Sequence, residues 1–433
     1  VPEGRMALTG ARLITMNGTE VIENGVIIVN GNRIEAIGPA SSTPVPAGVP
    51  VMDMAGKTIM PGLVDGHWHG SMGSDEIIPE QSWVDYASLA FGVTTIHNPS
   101  ADTSEIFAHS ELARTGRIIA PRIFSTGTIL YGASTGFTAQ VDDLDDARST
   151  LRRMQAAGAW SVKSYNQPRR DQRQQIIAAA RELNMMVVPE GGSLFQHNMS
   201  MIVDGHTTIE HSIPLARLYD DVHQLWRQTG VSYNPTLVVA YGGSYGENYW
   251  YQESEVWNHP ILTQYVPRRI LDSRARRPET LPDNEWNHIS IAREATRLSQ
   301  EGVNVQIGAH GQREGLAAHW ELWSLAQGGM APIDVIRAGT LNGARGLGLD
   351  RDIGSLEVGK LADMVVMDAN PLDNIRNTTS IAYTIANGRV YDSGMNEVAP
   401  RQRARAPFWF AEAGGEGWAA GATEADSEGD HGH

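Results

Sequence analysis

The predicted fold is an α/β protein, a (β/α)8 TIM-like barrel with a small β-sandwich domain formed from both chain ends. Three features of the sequence predict it. In the middle of the chain, eight short apolar runs alternate with helix-like stretches, as in a (β/α)8 barrel. The first 60 residues contain β-like runs separated by Asn-Gly turns, and the same texture returns near the other end. Because the termini of a domain often lie close together, the two β-rich ends are expected to form one domain.

The β-like runs at the two ends set the domain boundaries. These runs are 7–16, 25–29, 33–37, 51–60, 363–368, 381–386 and 389–391. We therefore assign residues 1–60 plus 350–400 to the composite β-sandwich domain and residues 61–349 to the barrel. The remaining residues, 401–433, are expected to form a disordered acidic tail, because residues 412–433 carry six acidic residues and no Lys or Arg.

The middle of the chain supplies the strands of the barrel. Its eight candidate strands are 62–69, 93–98, 122–127, 160–165, 185–190, 207–211, 231–237 and 304–310. Helix-like stretches lie between them, and the last, 283–301, begins at Asp283 as a predicted N-cap and is followed by Gly302. A doubly wound open sheet fits eight alternations less well, and no Gly-rich phosphate loop follows an early strand.

The composition excludes several classes of function. Lys plus Arg is 34 and Asp plus Glu is 50, which gives a formal charge of −16. This balance argues against a general nucleic-acid binder and against binding to anionic membranes. The chain has no cysteine, which excludes disulfides, thiolate catalysis and cysteine-ligated metals. The composition leaves a small molecule as the expected partner, and we expect a homo-oligomer because most soluble oligomers are of that type.

Six metal-competent side chains stand at the carboxyl ends of five predicted strands: His67, His69, Lys163, Glu190, His211 and His310. In a barrel these strand ends meet at one mouth, where catalytic groups are found. A single His-X-His pair on a strand is often structural, and a buried lysine can be a salt-bridge partner. The coincidence of all six at one end favours a metal site.

The chemistry of these side chains limits the choice of cofactor. Imidazole and carboxylate ligands suit Zn²⁺ best, and Mn²⁺, Co²⁺, Ni²⁺ or Fe²⁺ also fit. Only three of the 34 basic residues are lysine, so Lys163 stands where arginine does not replace it. A buried lysine of lowered pKa can react with CO₂, and carbamylated Lys163 would give the bridging anion that two divalent cations need.

Other residues are candidate contacts to substrate. Tyr165, His97, Tyr233 and Asn234 lie at or near predicted strand ends, as does Asn166. The long segment after the seventh predicted strand, 241–283, contains Tyr245, Tyr249, Trp250, Tyr251 and Trp257. Such a loop can form an aromatic wall beside a substrate or pack on its own aromatics, and the sequence leaves both open.

Several motifs together resemble the amidohydrolase superfamily. They are Met60 to His69, Thr208 to His211, Thr340 to Arg345, Ile353 to Asp363 and Asn370-Pro371-Leu372. The resemblance covers roughly residues 5–395 and is strongest to the prolidase and imidazolonepropionase-like branch, especially forms fused behind a β-propeller. It implies a metal-dependent hydrolase with a barrel and a β-sandwich. The fused forms are typically exported, which favours an exported or periplasmic location over a cytoplasmic one, and the start at Val1 fits a piece of a longer chain.

The resemblance assigns roles residue by residue. It makes His67, His69 and His211 metal ligands and Lys163 the carbamylated lysine. Glu190 stands where the family usually has histidine, and His310 stands where it has the aspartate that shuttles protons.

These assignments lead to a predicted reaction. A metal-bridging hydroxide attacks the carbonyl carbon of a dipeptide or N-acyl amino acid, the amide or peptide-like C–N bond breaks, and His310 passes a proton to the departing nitrogen. Lys163 and His310 are the predicted catalytic residues. The alternatives are a mononuclear deaminase or cyclic-amide hydrolase and, third, an inactive metal-binding barrel.

Overall fold

The computed structural model describes residues 1–70, 73, 77–130, 138–165, 167, 169–191, 194–406 and 408. Within these ranges the side chain of Arg274 is left undescribed. Asn166, a predicted substrate contact, lies outside the described residues, as does the predicted tail apart from 401–406 and 408.

Eighteen strands are present among the described residues. In chain order they are β1 Arg5–Ile14, β2 Val21–Asn30, β3 Arg33–Pro39, β4 Val51–Asp53, β5 Thr58–Pro61, β6 Leu63–Asp65, β7 Val93–Asn98, β8 Arg122–Ser125, β9 Ile129–Leu130, β10 Thr138–Ala139, β11 Ser161–Ser164, β12 Met186–Pro189, β13 Thr208–Glu210, β14 Ser232–Asn234, β15 Met364–Met367, β16 Ile381–Ala386, β17 Arg389–Asp392 and β18 Glu397–Ala399.

Thirteen α-helices are described alongside these strands. They are α1 Trp83–Ala90, α2 Thr103–Arg114, α3 Leu144–Ala157, α4 Arg170–Glu182, α5 Phe195–Asp204, α6 Asp220–Arg227, α7 Gly246–Glu253, α8 Pro260–Tyr265, α9 Arg268–Ala275, α10 Asn287–Gln300, α11 Leu316–Gln327, α12 Pro332–Arg337 and α13 Gly343–Gly346. Short 3₁₀ turns occur at Leu237–Val239, Val256–Asn258 and Ile375–Thr379, and a π turn at Ala338–Asn342. Within the described parts of the chain, no helix is both long and apolar enough to span a membrane.

The two chain ends form one sheet, as the sequence predicted. Its nine strands run in the order β18-β17-β16-β15-β5-β1-β2-β3, and β4 pairs with β1. The junction between the ends is β15 antiparallel to β5, with Met364 opposite Pro61. Side chains from both ends, such as Leu13 and Val366, pack into a shared hydrophobic core. The exact domain boundaries stay predictions.

The middle of the chain forms a closed parallel barrel. β6, β7 and β8 pair in parallel, as do β11 with β12 and β13 with β14. Backbone hydrogen bonds join these groups, among them Trp160 N to Ser125 O at 2.9 Å and Thr207 N to Val187 O at 2.9 Å. The ring closes where Gly66 N donates to Ile307 O at 3.0 Å. The predicted fold class is confirmed, and all parallel strands direct their carboxyl ends to the same mouth.

Two sequence predictions about elements need correction. The eighth candidate strand, 304–310, runs beside β14 but is reduced to a single bridge between Tyr233 and Val305. The last predicted helix begins at Asn287 rather than after Asp283, because Glu285 N closes a turn onto Pro282 O and Trp286 takes the N-cap position. A turn-closing bond of this kind competes with helix initiation.

Candidate metal centre

The structure brings the six predicted ligands into one buried cluster at the mouth of the barrel. Two groups of three have ligand atoms within 4.8 Å of one another, and His67 belongs to both. The first contains His69 and His310, and the second contains Glu190 and His211. The six residues lie at or after the ends of five different barrel segments, with His67 and His69 after the same one, so the barrel closure described above is what makes them neighbours.

Close contacts within the cluster define its geometry. Nε2 of His67 lies 2.9 Å from Nε2 of His69, and Nε2 of His211 lies 2.7 Å from Oε1 of Glu190. The other carboxylate oxygen of Glu190 lies 2.6 Å from Nζ of Lys163. The ring of His310 lies 4.6 Å from that of His69 and 4.9 Å from that of His211, centroid to centroid.

The electrostatics favour the protonation states that metal ligands need at three of these side chains, His67, His310 and Glu190. Burial, followed by repulsion from neighbouring imidazoles, holds the pKa of His67 and of His310 well below the usual histidine value, so both are neutral. Burial alone would raise the pKa of Glu190, but His211 and Lys163 outweigh it and hold that pKa well below its usual range. Neutral imidazoles and an ionised carboxylate are the forms that bind a cation.

The backbone at the strand ends is shaped for this cluster. His211 and His310 have φ of 66° and 57°, in the left-handed region that non-glycine residues seldom adopt. Gly311 also has positive φ, and a Cβ there would come within 2.8 Å of the backbone of His69. Unfavourable backbone conformations cost free energy and persist where the surrounding structure holds them, typically at functional sites.

A second layer of carboxylates supports the cluster, and the sequence analysis missed it. Oδ1 of Asp65 accepts from Ala309 N at 3.0 Å and from His67 N at 3.2 Å, which ties the ends of the first and eighth barrel segments together. Glu210 lies 2.8 Å from Nδ1 of His67. The sequence could have indicated these two carboxylates only by their positions next to predicted ligands. Asp65 is two residues before His67, and Glu210 is one residue before His211.

Tyr241 is a further residue that the sequence did not single out. Its hydroxyl donates to Oε1 of Glu190 at 3.1 Å, and its ring stacks on that of His211 at 4.7 Å with an interplanar angle of 16°. Tyr241 is the first residue of the long segment after the seventh strand, so its position near the mouth was available, but its contacts were not.

Two of the predicted substrate contacts lie beside the cluster. The ring of Tyr165 lies 5.8 Å from Nζ of Lys163. Asn234 is fully buried, with its amide against Gly66 and Gly308, and neither amide atom has a hydrogen-bond partner among the described residues. Both stay candidates for contact with a substrate.

The side chains of the other two predicted substrate contacts, His97 and Tyr233, bond to other residues of the protein. The ring nitrogens of His97 lie 3.1 Å from Gly66 O and 2.7 Å from Oγ of Ser161. Tyr233 faces the helices, where its hydroxyl accepts from Ile213 N at 3.2 Å and its ring packs on Trp226. The positions of His97 and Tyr233 therefore give no support to a role in substrate binding.

The predicted aromatic wall is mostly internal packing. Trp250 and Tyr251 are buried and lie 5.3 and 5.4 Å, ring to ring, from Trp323 and Trp320 of α11. Tyr245 alone of the five is substantially exposed, at 39%. The alternative that this loop packs on aromatics is the one that the structure favours.

The family follows from comparison with known proteins. Residues 58–391 match the model of the Amidohydrolase family. The chain belongs to the amidohydrolase family. This agrees with the resemblance inferred from the sequence motifs, and the matched range includes all six residues of the cluster.

Several curated proteins are similar to this chain in sequence. A 5-methylthioadenosine/S-adenosylhomocysteine deaminase of Symbiobacterium thermophilum is 38% identical over 69 residues, 16% of each chain. A protein of the same description from Moorella thermoacetica is 23% identical over 84% of this chain and 86% of its own. The first two curated relatives are matched over only 16% and 24% of their own length, well below two thirds.

Solved structures of the same fold include a Xaa-Pro dipeptidase with bound methionine. It covers 90% of this amidohydrolase chain and all of its own, with a TM-score of 0.69 and 19% sequence identity. At this identity the likeness shows the fold alone.

The residues present fit divalent cations. The donors are imidazole nitrogens and a carboxylate, with no thiolate, which suits Zn²⁺ and its neighbours in the first transition row. Nδ1 of buried His211 has no hydrogen-bond partner among the described residues. Nε2 of His67 and Nε2 of His69 lie 2.9 Å apart, close enough for both to reach one cation.

Proposed function

We propose that this amidohydrolase is a binuclear metal-dependent enzyme that hydrolyses an amide or peptide-like C–N bond in a small molecule, of the dipeptide or N-acyl amino acid type. The observation that carries the proposal is that His67 belongs to two groups of potential ligands. His67 can give its one ligand nitrogen to only one cation, and the four other members of the two groups leave two donors for each of two neighbouring cations. The substrate class follows from the resemblance of the sequence to the prolidase-like branch, and the Xaa-Pro dipeptidase shares the fold.

The residues divide between the two cations. His69 and His310 serve one, Glu190 and His211 serve the other, and His67 lies next to both. Divalent cations in such sites activate a water as nucleophile and polarise the substrate carbonyl. The protein residues contribute neutral imidazoles, a buried carboxylate and exclusion of bulk water.

Lys163 is proposed to be carbamylated when the cations are bound. Its Nζ lies 2.6 Å from Glu190 and is fully buried. Carbamylation would place two anions at this contact, which is unfavourable unless cations lie close to both. We therefore expect the modification to depend on the metal. In the cation-free protein we expect Lys163 to be unmodified and to contact Glu190.

His310 is proposed to move the proton. Burial holds the pKa of His310 well below the usual histidine value, so the resting ring is neutral, which is the form that a proton carrier must start from. It can then take up a proton and donate it to the departing nitrogen. The ring lies within the cluster, 5.0 Å from that of His67, so it is close to where the reaction would occur.

The second candidate is a deaminase. It is favoured by the curated relatives, which include adenosine-type deaminases. The two candidates differ in product, since a deaminase releases ammonia whereas an amide or dipeptide hydrolase releases a carboxylic acid and an amine.

The test is a substrate screen with Zn²⁺-loaded protein. N-acyl amino acids, Xaa-Pro and other dipeptides, and adenosine derivatives are incubated with native protein and with His67→Ala. We expect turnover of a dipeptide or N-acyl amino acid that is lost in His67→Ala and after chelation. Ammonia release from adenosine derivatives alone would support the second candidate, and no metal-dependent turnover of any class would contradict the proposal.

A further inference from the structure

Glu210 makes a buried contact with the one residue shared by both ligand groups. Its Oε2 lies 2.8 Å from Nδ1 of His67, and the two side chains are 1% and 0% exposed. The ring of His67 has two nitrogens, and its other nitrogen, Nε2, faces His69 inside the cluster. The contact with Glu210 therefore lies on the side of the ring away from the candidate ligands.

The hydrogen bonds around Glu210 allow the proton of this contact to lie on Nδ1 of His67. The other oxygen of Glu210, Oε1, accepts from the hydroxyl of Thr208 at 2.6 Å, which leaves Oε2 as the acceptor for the Nδ1–H of His67. Burial raises the pKa of Glu210 to about 8, so the competing arrangement is a protonated Glu210 that donates to Nδ1. With the proton on Nδ1, the lone pair of His67 is on Nε2 and points into the cluster.

We propose that Glu210 is a positioning residue that holds the ring of His67 in the Nδ1–H tautomer, with Nε2 presented as the metal ligand. A carboxylate bonded to the second nitrogen of a ligating histidine fixes its tautomer and orientation and raises its basicity. Asp65 fixes the backbone of the same residue through His67 N, so His67 is held at two points. The inference rests on the proposed function, because it concerns a metal ligand.

The first experiment compares Zn²⁺ affinity by chelator competition in native protein and in Glu210→Gln. A matched control is Asp85→Asn, which alters another buried carboxylate–histidine pair, Asp85 with His109 at 2.7 Å, outside the cluster. We expect Glu210→Gln to weaken Zn²⁺ binding by about 10–100-fold and Asp85→Asn to change it less than about twofold. Equal affinity in Glu210→Gln and native protein, or an equal loss in the control, would overturn the inference.

The second experiment reads the tautomer in native protein, and a variant serves only to identify the signals. In native, cation-free protein labelled with ¹⁵N-histidine, NMR reports which ring nitrogen of His67 is protonated, with its signals identified by their loss in His67→Asn. We expect the Nδ1–H tautomer, and the Nε2–H tautomer would overturn the inference. If native protein binds no Zn²⁺, the proposed function fails, whereas the tautomer still decides the role of Glu210.

Discussion

At the scale of single residues, His67 and its neighbours have different proposed roles. His67 belongs to both ligand groups. Asp65 contacts its backbone N and Glu210 contacts its Nδ1, whereas the hydroxyl of Tyr241 donates to Glu190. The site is therefore a set of ligands with a supporting layer. Loss of support should weaken metal binding, whereas loss of a proton carrier should act mainly on turnover.

His310 is the residue for which these effects can be separated. His310→Asn removes the imidazole but leaves a side chain of similar size, so we expect turnover to fall by roughly 100-fold or more while some metal stays bound. The matched control is His288→Asn, a buried histidine that lies 3.1 Å from Gln327 and outside the cluster. Steady-state kinetics and metal analysis of both variants measure this, and unchanged turnover in His310→Asn would remove His310 from the proton-transfer role.

Lys163 offers a spectroscopic test that does not depend on knowing the substrate. Native protein reconstituted with Zn²⁺ and ¹³C-bicarbonate should show a carbamate carbon by ¹³C NMR, because the cations offset repulsion between a carbamate and Glu190. The signal should be absent in Lys163→Arg, since arginine cannot form a carbamate at ordinary pH. The same spectrum from native protein and from Lys163→Arg would contradict the proposal.

Sequence reasoning at this scale predicted that the six candidate ligands lie together, but it did not resolve to which face of a strand each side chain points. Residues at strand ends are near the mouth whatever the details of packing, so these six could be grouped, and their roles as ligands stay predictions. Tyr233 and Asn234 are adjacent on β14, and successive side chains of a strand point to opposite sides, so both could not face the mouth. Contacts such as that of Tyr241 with Glu190 join residues 51 positions apart and cannot be read from spacing.

At the scale of elements, the strands were predicted better than their surroundings. The predicted strands 93–98 and 122–127 match β7 and β8 closely, and β7 is buried along its whole length, as its apolar run indicates. The loops were harder, since an aromatic residue in a loop can line a pocket or fill a core. Trp250 and Tyr251 fill a core against α11, and only the position of α11 decides this.

The segment after β18 packs onto two helices of the barrel, and this contact can be tested. The guanidinium of Arg405 lies over the rings of Tyr86 in α1, Tyr265 in α8 and Phe408, at 5.6, 5.6 and 4.7 Å from their centroids. Arg405→Ala should lower Tm by a few °C, on the order of 1 kcal/mol per desolvated cation–π contact. The control Arg401→Ala, an exposed arginine of the same segment, should leave Tm within about 1 °C. Equal Tm values for the two variants, measured by calorimetry, would contradict the packing role.

At the scale of the whole molecule, buried carboxylates outside the ligand set make stability depend on pH. Burial raises the pKa of Glu321 in α11 from 4.5 to about 8, although Val238 N donates to its side chain. Folded protein therefore keeps a proton that unfolded protein loses above pH 4.5. The stabilisation that comes from this bound proton of Glu321 is fully present below pH 4.5 and is lost as pH rises towards about 8.

The variant Glu321→Gln removes this titration. In native protein, Glu321 should lower the free energy of unfolding by up to about 1.4 kcal/mol per pH unit within that window. The slope in Glu321→Gln should be shallower by about that amount. Urea unfolding at several pH values between 5 and 8, with chelator present so that cations do not contribute, measures both slopes. Parallel slopes would show that Glu321 does not titrate in this range.

The overall architecture was accessible from the sequence because it follows from patterns repeated along the chain. Eight alternations predicted the barrel, and β-rich ends predicted the sheet in which β5 pairs with β15. The substrate is not encoded in any repeated pattern, since it depends on a few loop side chains. The presence of a preceding β-propeller, the oligomeric state and the cellular location stay predictions.

The central claim is that side chains from distant strands gather to bind two divalent cations. The most direct test is the metal content of native protein after exposure to Zn²⁺ and removal of excess, measured by inductively coupled plasma mass spectrometry beside His67→Ala. We predict two Zn²⁺ per native chain, from the two ligand groups, and a large loss in His67→Ala because both groups share that residue. Native protein that retains no Zn²⁺, or a His67→Ala variant that retains as much as native protein, would contradict the account.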